Sequence, residues 1–257
     1  MESDLVLNPT LWAAAAVVLL AAGITQGALG FGFPAISTPV LVVLTDVKTA
    51  IILNLLPNFT VNVISVIQGG NWGASIGRYW PVAAWVLAGS VLGASFLIVA
   101  PQEPIRLVLA IAIIAYLCQR RLARLDWSWL ARRPRLSAAV FGLTGGFFSG
   151  SVNNSLPPLL IYFVLLGLET TVMTQMLNLC FLGGKVMQAA TLGIAGEIQL
   201  AAVIANVPLT LVALVGMWIG TRLQRRISAE IYSRLLRWVL LVIALVLLWQ
   251  GTRYFLR

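Results

Sequence analysis

The sequence predicts an all-α integral membrane protein of two inverted-topology repeats, each of about five helical segments. The first two segments of each repeat are expected to form a broken or hairpin element. Three observations predict this: the composition, a set of motifs that recurs at fixed spacing, and the placement of charge between apolar runs.

Of 257 residues, 60% are hydrophobic and 10% charged, and the mean hydropathy is +0.95. A soluble domain carries roughly 25% charged residues. A spanning helix needs roughly 20 apolar residues, and "LLRWVLLVIALVLLWQ" (235–250) is one of several such runs. The opening "MESDLVLNPTLW" holds two acids and no Lys or Arg, unlike the basic start of a signal peptide, so its apolar run reads as a retained helix. The net charge of +9 is almost all arginine. Its clusters lie between apolar runs, which points to cytoplasmic loops beside a lipid bilayer rather than to nucleic acid. There is no histidine, and Cys118 and Cys180 lie in apolar segments without metal or redox spacing. No metal and no cofactor are expected.

The repeat is read from ordered motifs. "GITQG" at 23–27 matches "GLTGG" at 142–146, and Pro39 matches Pro158, at an offset of 119. Pro81 matches Pro208, and "GSVLG" at 89–93 matches "GMWIG" at 216–220, at an offset of 127. The first half reads as segments over roughly 10–29, 33–45, 49–68, 80–100 and 104–119. The second reads as roughly 137–150, 155–167, 171–192, 198–221 and 229–250. The chain thus divides into a first repeat at 1–119, a basic linker at 120–136 and a second repeat at 137–257. Gly-x-x-x-Gly pairs at Gly89/Gly93 and Gly216/Gly220 suit either close packing within one chain or a homodimer.

Charge sets the orientation. The linker region carries Arg120, Arg121, Arg124, Arg132, Arg133 and Arg135 and should be cytoplasmic. Five segments per half then put both termini outside, with Glu2, Asp4, Glu103 and Glu197 outside. Arg78, Arg222, Arg225 and Arg226 fall inside. An odd count inverts the halves, a common transporter plan with its site at the midplane. The second segment is short, so the first two could dip and return instead of spanning; the parity is the same.

Two stretches break the apolar pattern at membrane depth: "GALGFGFPAISTP" (27–39) and "FFSGSVNNSLPP" (147–158). Irregular backbone there needs protein or water around it, because lipid satisfies no hydrogen bonds. Each precedes a short helix with Pro34, or Pro157 and Pro158, in its first turn, where Asn153, Asn154 or Ser155 could cap. Inward-pointing helix N-termini suit an anion. Gly30, Phe31, Gly32 and Ser151 belong to the same turns. The third segment of each half carries a polar stripe: Asn54, Asn58, Asn62, Ser65 and Gln68 in one, Thr174, Asn178, Lys185 and Gln188 in the other. Either stripe could bond helix to helix; paired behind two broken hairpins, they read as a lined cavity. Lys185 is one of two lysines and falls mid-segment with no acid in its helix. A charge at the bilayer centre costs at least about 2.5–3.5 kcal/mol, so it should face a cavity, snorkel, or meet an acid from elsewhere. Asp46, Glu103, Asp126, Glu169, Glu197 and Glu230 all map near segment ends, which disfavours a carboxylate proton relay and cation transport.

A duplicated chain of this length, with "GALGFGFP" and "GGFFSGSVNNSLPP" opening its halves and a basic linker between them, resembles the TauE/SafE sulfite exporter family of bacterial inner-membrane permeases. The likeness covers nearly the whole chain and rests on the Gly30-Phe31-Gly32 turn and the downstream Pro39. The second turn, Ser149-Gly150-Ser151-Val152-Asn153-Asn154, is less glycine-rich than is usual there. The resemblance implies transport of sulfite, thiosulfate or an organosulfonate across the bacterial inner membrane. The residues themselves indicate a secondary transporter of a small anion, without a nucleotide-binding motif. A passive anion channel fits the same scaffold. An enzyme acting on lipid phosphates would need a mid-depth acid, base or metal ligand, which the turns lack.

Overall fold

The computed structural model describes residues 9–70, 72–122, 125–224, 237–238 and 240–250. Glu2, Asp4, Arg124, Arg225, Arg226 and Glu230 lie outside the described residues, as do both termini. Among the described residues all regular structure is helical.

The first half contains α1 (Pro9–Leu29), α2 (Phe33–Leu44), α3 (Val47–Gly69), α4 (Trp72–Val99) and α5 (Gln102–Leu117). Two short helices follow in the linker region, α6 (Gln119–Leu122) and α7 (Ser128–Arg132). The second half contains α8 (Pro134–Val152), α9 (Leu156–Leu165), α10 (Thr170–Ile194), α11 (Leu200–Ala205) and α12 (Val207–Leu223), and then α13 (Leu240–Gln250). The expected fourth segment of the second half is therefore broken at Asn206. Among the described residues, four helices are long and apolar enough to cross a membrane: Pro9–Leu29, Val47–Gly69, Gly77–Val99 and Thr170–Ile194. With 12 and 10 residues, α2 and α9 rise only about 18 and 15 Å at 1.5 Å per residue, well short of a hydrocarbon core of about 30 Å.

The helix boundaries recur at a spacing that differs from the motif match. Leu29 and Val152 end the first helix of each half, Phe33 and Leu156 begin the second, and Val47 and Thr170 begin the third. Each pair is 123 residues apart (29 to 152, 33 to 156, 47 to 170), one helical turn more than the 119 that the motif match suggests. The packing agrees. The broadest helix contacts join α1 to α12 and α4 to α8, so each half's first helix lies on the other half's fourth. A Cβ on Gly23 would strike Ala213 O and Met217 N, as one on Gly146 would strike Val86 O and Ser90 N. Gly27 meets Met217 and Thr221 as Gly150 meets Ser90 and Ala94. The fourth helices keep the offset of 127 (86 to 213, 90 to 217, 94 to 221).

Gly89, Gly93, Gly216 and Gly220 face backbone atoms of α8 or α1, so both Gly-x-x-x-Gly pairs are engaged inside the chain. The linker is packed rather than trailing. Trp129 stacks on Phe141 at 6.4 Å and Phe141 on Tyr162 at 5.0 Å. Asp126 accepts the Ser128 amide at 2.9 Å, a bond that favours its ionised form and lowers its pKa. Trp72, Trp80, Trp218 and Trp249 are exposed on the apolar exterior, as interfacial tryptophans are.

Candidate functional site

The breaks after α1 and α8 are built by the same local physics. Helix α1 ends into Gly30 (φ 80) and Gly32 (φ 110), and α8 into Asn153 (φ 56), the one non-glycine residue with positive φ among the described residues. Asn153 stands 123 residues after Gly30. Asparagine tolerates the left-handed conformation better than most residues because its amide bonds locally. The Asn153 amide bonds Ser149 O at 3.0 Å and the Asn154 amide bonds Phe148 O at 3.1 Å, which closes the helix end.

Around these breaks three buried polar clusters form. In the first, Gln26 donates to Ser65 Oγ at 2.9 Å, Asn178 Oδ1 at 3.0 Å and Gly30 O at 3.2 Å, and accepts the Phe33 amide at 3.0 Å. Asn178 also donates to Gly30 O at 2.8 Å. In the second, bonds run head to tail. Asn62 donates to Asn58 Oδ1 at 2.6 Å, Asn58 to Asn153 Oδ1 at 3.1 Å, and Asn153 to Thr38 Oγ1 at 2.9 Å. Asn54 meets the same Thr38 hydroxyl at 2.9 Å. In the third, Lys185 donates to Gln188 Oε1 at 2.6 Å, and Gln188 to Gly150 O at 2.7 Å. Lys185 is 1% exposed, so it does not snorkel, and it pairs with no acid among the described residues.

The predicted residues therefore divide. Gly30 and Asn178 enter the first cluster, Asn54, Asn58, Asn62 and Asn153 the second, and Lys185 and Gln188 the third. The hydroxyl of Ser151 instead donates to Phe147 O one turn back, at 2.6 Å, so it faces its own helix. Phe31 is half-buried and Gln68 exposed. The expected side-chain cap of α9 is not made: Ser155 occupies the N-cap and bonds no amide. Its stacked prolines and the turn geometry set the helix start instead. Sequence reading missed Gln26, which lies inside a motif read only for its glycines, and Thr38, which lies in the first irregular stretch but was not singled out.

What the clusters leave unbonded matters most. The amides of Ser155 and Leu156, residues only 2% and 1% exposed, make no hydrogen bond among the described residues. Those of Phe31 and Gly32 in the other turn are also unbonded. Asn54 Oδ1, Asn62 Oδ1, Asn154 Oδ1 and Ser90 Oγ are buried and unpartnered. A buried polar group without a partner costs about 1–3 kcal/mol, and several such groups lie at or near the two chain breaks. Ser90 and Ser149 lie against Gly184, next to Lys185. Among the described residues no group of three or more His, Cys, Asp or Glu is placed to hold a metal ion.

No curated protein and no solved structure matches this chain. The family model described as "Sulfite exporter TauE/SafE" matches residues 15–247, a span that takes in both broken hairpins, both polar stripes and the linker. It covers nearly the whole sequence, and the chain belongs to the TauE/SafE sulfite exporter family.

Proposed function

We propose that this protein is a secondary transporter that moves a small sulfur-containing anion (sulfite, thiosulfate or an organosulfonate) across the bacterial inner membrane by alternating access. The observation that carries the reading is the pair of unbonded, buried amides at the start of α9, one turn along the chain from Gly150, where the Lys185–Gln188 pair is anchored. Free N–H groups and a lysine without an acid are donors in search of an acceptor, and several donors can surround the oxygens of such an anion. Asn54 adds to them. Turned over, its amide accepts the Thr38 hydroxyl through Oδ1 and presents its NH₂ group, which completes the head-to-tail chain from Asn62. Gly30, Phe31, Gly32, Ser151, Asn154, Ser155 and Asn178 shape the two turns around it.

In this reading the halves, 1–119 and 137–257, are inverted repeats joined by a cytoplasmic linker, with both termini periplasmic. The reciprocal packing of first on fourth helices supports it, because such a swap is what a two-fold relation between the halves produces. Purified protein is titrated with sulfite, thiosulfate, sulfoacetate, taurine, sulfate and phosphate while its unfolding midpoint is followed. A ligand of the folded state raises the midpoint with concentration. Stabilisation by phosphate alone, or by none of the six, sinks the sulfur-anion reading. Counterflow in proteoliposomes distinguishes a carrier, which shows it, from a channel, which does not.

A further inference from the structure

A cavity of about 420 Å³ lies apart from the polar clusters, and none of the residues assigned to them lines it. Both halves build it. Trp12, Lys48 and Gln102 come from the first half, and Leu192, Glu197 and Asn206 from the second. Lys48 Nζ and Glu197 Oε2 are 3.0 Å apart, which ties α3 to the turn after α10, and their side chains are 40% and 32% exposed. The pair therefore stands exposed at the rim of the cavity. The cavity is also lined by Ile51, Ile52 and Leu53, the three residues before Asn54. Asn206, itself buried, donates to Ile52 O at 2.9 Å, and Pro57, which has no N–H, leaves Leu53 O without its helical donor. The segment of α3 between cavity and asparagine chain is thus a single turn with an interrupted ladder.

We propose that this cavity is a vestibule for the transported anion, with Lys48 as its charged ligand, exchanging Glu197 for the anion as it arrives. The proposal rests on the anion reading of the central clusters. An exposed ion pair is weakly held, so an incoming anion of like charge replaces the carboxylate at small cost. The remaining acid, Asp46, is held at the N-cap of α3, where it accepts the Thr49 amide at 3.1 Å and faces the positive end of the helix. Trp12, Leu97 and Leu192 give the cavity apolar walls beside Lys48. The arrangement is one-sided. The residues 123 positions after Asp46 and Lys48 are Glu169 and Thr171, so the second half repeats the acid but not the lysine. A lysine-based vestibule therefore exists at one end of the molecule only.

The test uses the full chain with Cys118→Ser and Cys180→Ala, and a reporter cysteine in the cavity at Thr49→Cys or, independently, at Ala202→Cys. Each reporter is reacted in membranes with two impermeant methanethiosulfonate reagents, one bearing a sulfonate and one a trimethylammonium. Glu197→Gln is expected to raise the ratio of sulfonate to ammonium reaction rates severalfold, and Lys48→Gln to lower it below that of the parent. Thiosulfate is expected to slow the sulfonate reagent when Lys48 is present. A ratio indifferent to Lys48→Gln at both reporters overturns the vestibule, even if thiosulfate stabilises the parent protein. A ratio that moves as expected, while no sulfur anion protects the reporter or stabilises the parent, supports an anion-selective cavity and overturns sulfur anions as its ligand and as the transported substrate.

Discussion

Asn58 donates its side-chain amide to Oδ1 of Asn153, 95 residues away and in the opposite half, at 3.1 Å. Its counterpart is the bond from Asn178 to Gly30 O at 2.8 Å. Each runs from the third helix of one half into the chain break of the other. Two halves that rock against each other must carry these bonds along or break them, so the breaks are where the relative position of the halves is registered.

The Asn58–Asn153 bond gives the first prediction. Interhelical hydrogen bonds in membranes are worth about 0.6 kcal/mol on average and up to about 1.7. A double-mutant cycle of Asn58→Ala and Asn153→Gly, measured by unfolding in mixed micelles, is expected to show coupling in that range. Asn153→Ala should be less stable than Asn153→Gly by about 1 kcal/mol, because alanine at φ 56 carries the left-handed strain that glycine avoids. Equal stabilities of the two would mean that the turn relaxes out of that conformation.

Glycine positions separate packing from propensity. Gly27→Ala puts a methyl group against Met217 O, an atom of backbone that cannot rotate away. It should destabilise by about 1–3 kcal/mol through separation of α1 and α12. Gly77→Ala meets nothing within 4 Å and should be neutral or stabilising by up to about 1 kcal/mol through helix propensity. Unfolding midpoints of the two single variants, compared with the parent, check both signs.

Much of this architecture was legible in the order of apolar runs, because run length and breakers set helix boundaries within a few residues. The register of the repeat was not. Glycines at 142, 146 and 150 recur every four residues, so a slip of one turn matches the motif equally well; the helix boundaries and packing partners choose between them. The break at Asn206 was hidden because the residues around it are apolar on both sides. In the site, asparagines on one face of α3 could be read from spacing. The direction of a serine hydroxyl could not, since Ser151 has a carbonyl of its own helix within reach. Gln26 was overlooked because its partners, Ser65 and Asn178, are 39 and 152 residues away.

Gln26 accordingly carries the third prediction. Gln26→Ala removes the acceptor of the Phe33 amide and donors to Ser65, Asn178 and Gly30. The Phe33 amide, on a residue with no exposed surface, would lose its only acceptor, at a cost of about 1–3 kcal/mol. The variant should therefore unfold earlier than the parent in a thermal melt. Unchanged stability would mean that water replaces the glutamine, and that the first cluster is already wet.

Lys185 supplies the sharpest separation of function from fold. Lys185→Met keeps the length and apolar stem of the side chain, and no acid among the described residues is left without a partner by the change. What is lost is the donor to Gln188 Oε1, worth about 1–3 kcal/mol if water does not follow, against the removed cost of holding a charge among apolar helices. These oppose each other, so the midpoint without ligand should move little. Ligand binding has no such compensation. A hydrogen bond to a charged group contributes about 1.5–3 kcal/mol, which is roughly a tenfold to hundredfold loss of affinity. The stabilisation by thiosulfate or sulfite should then shrink markedly at concentrations that just saturate the parent, and counterflow should fall in parallel. If Lys185→Met keeps the full ligand-dependent shift, Lys185 serves only to anchor Gln188, and the anion is held by the turn amides and asparagines alone.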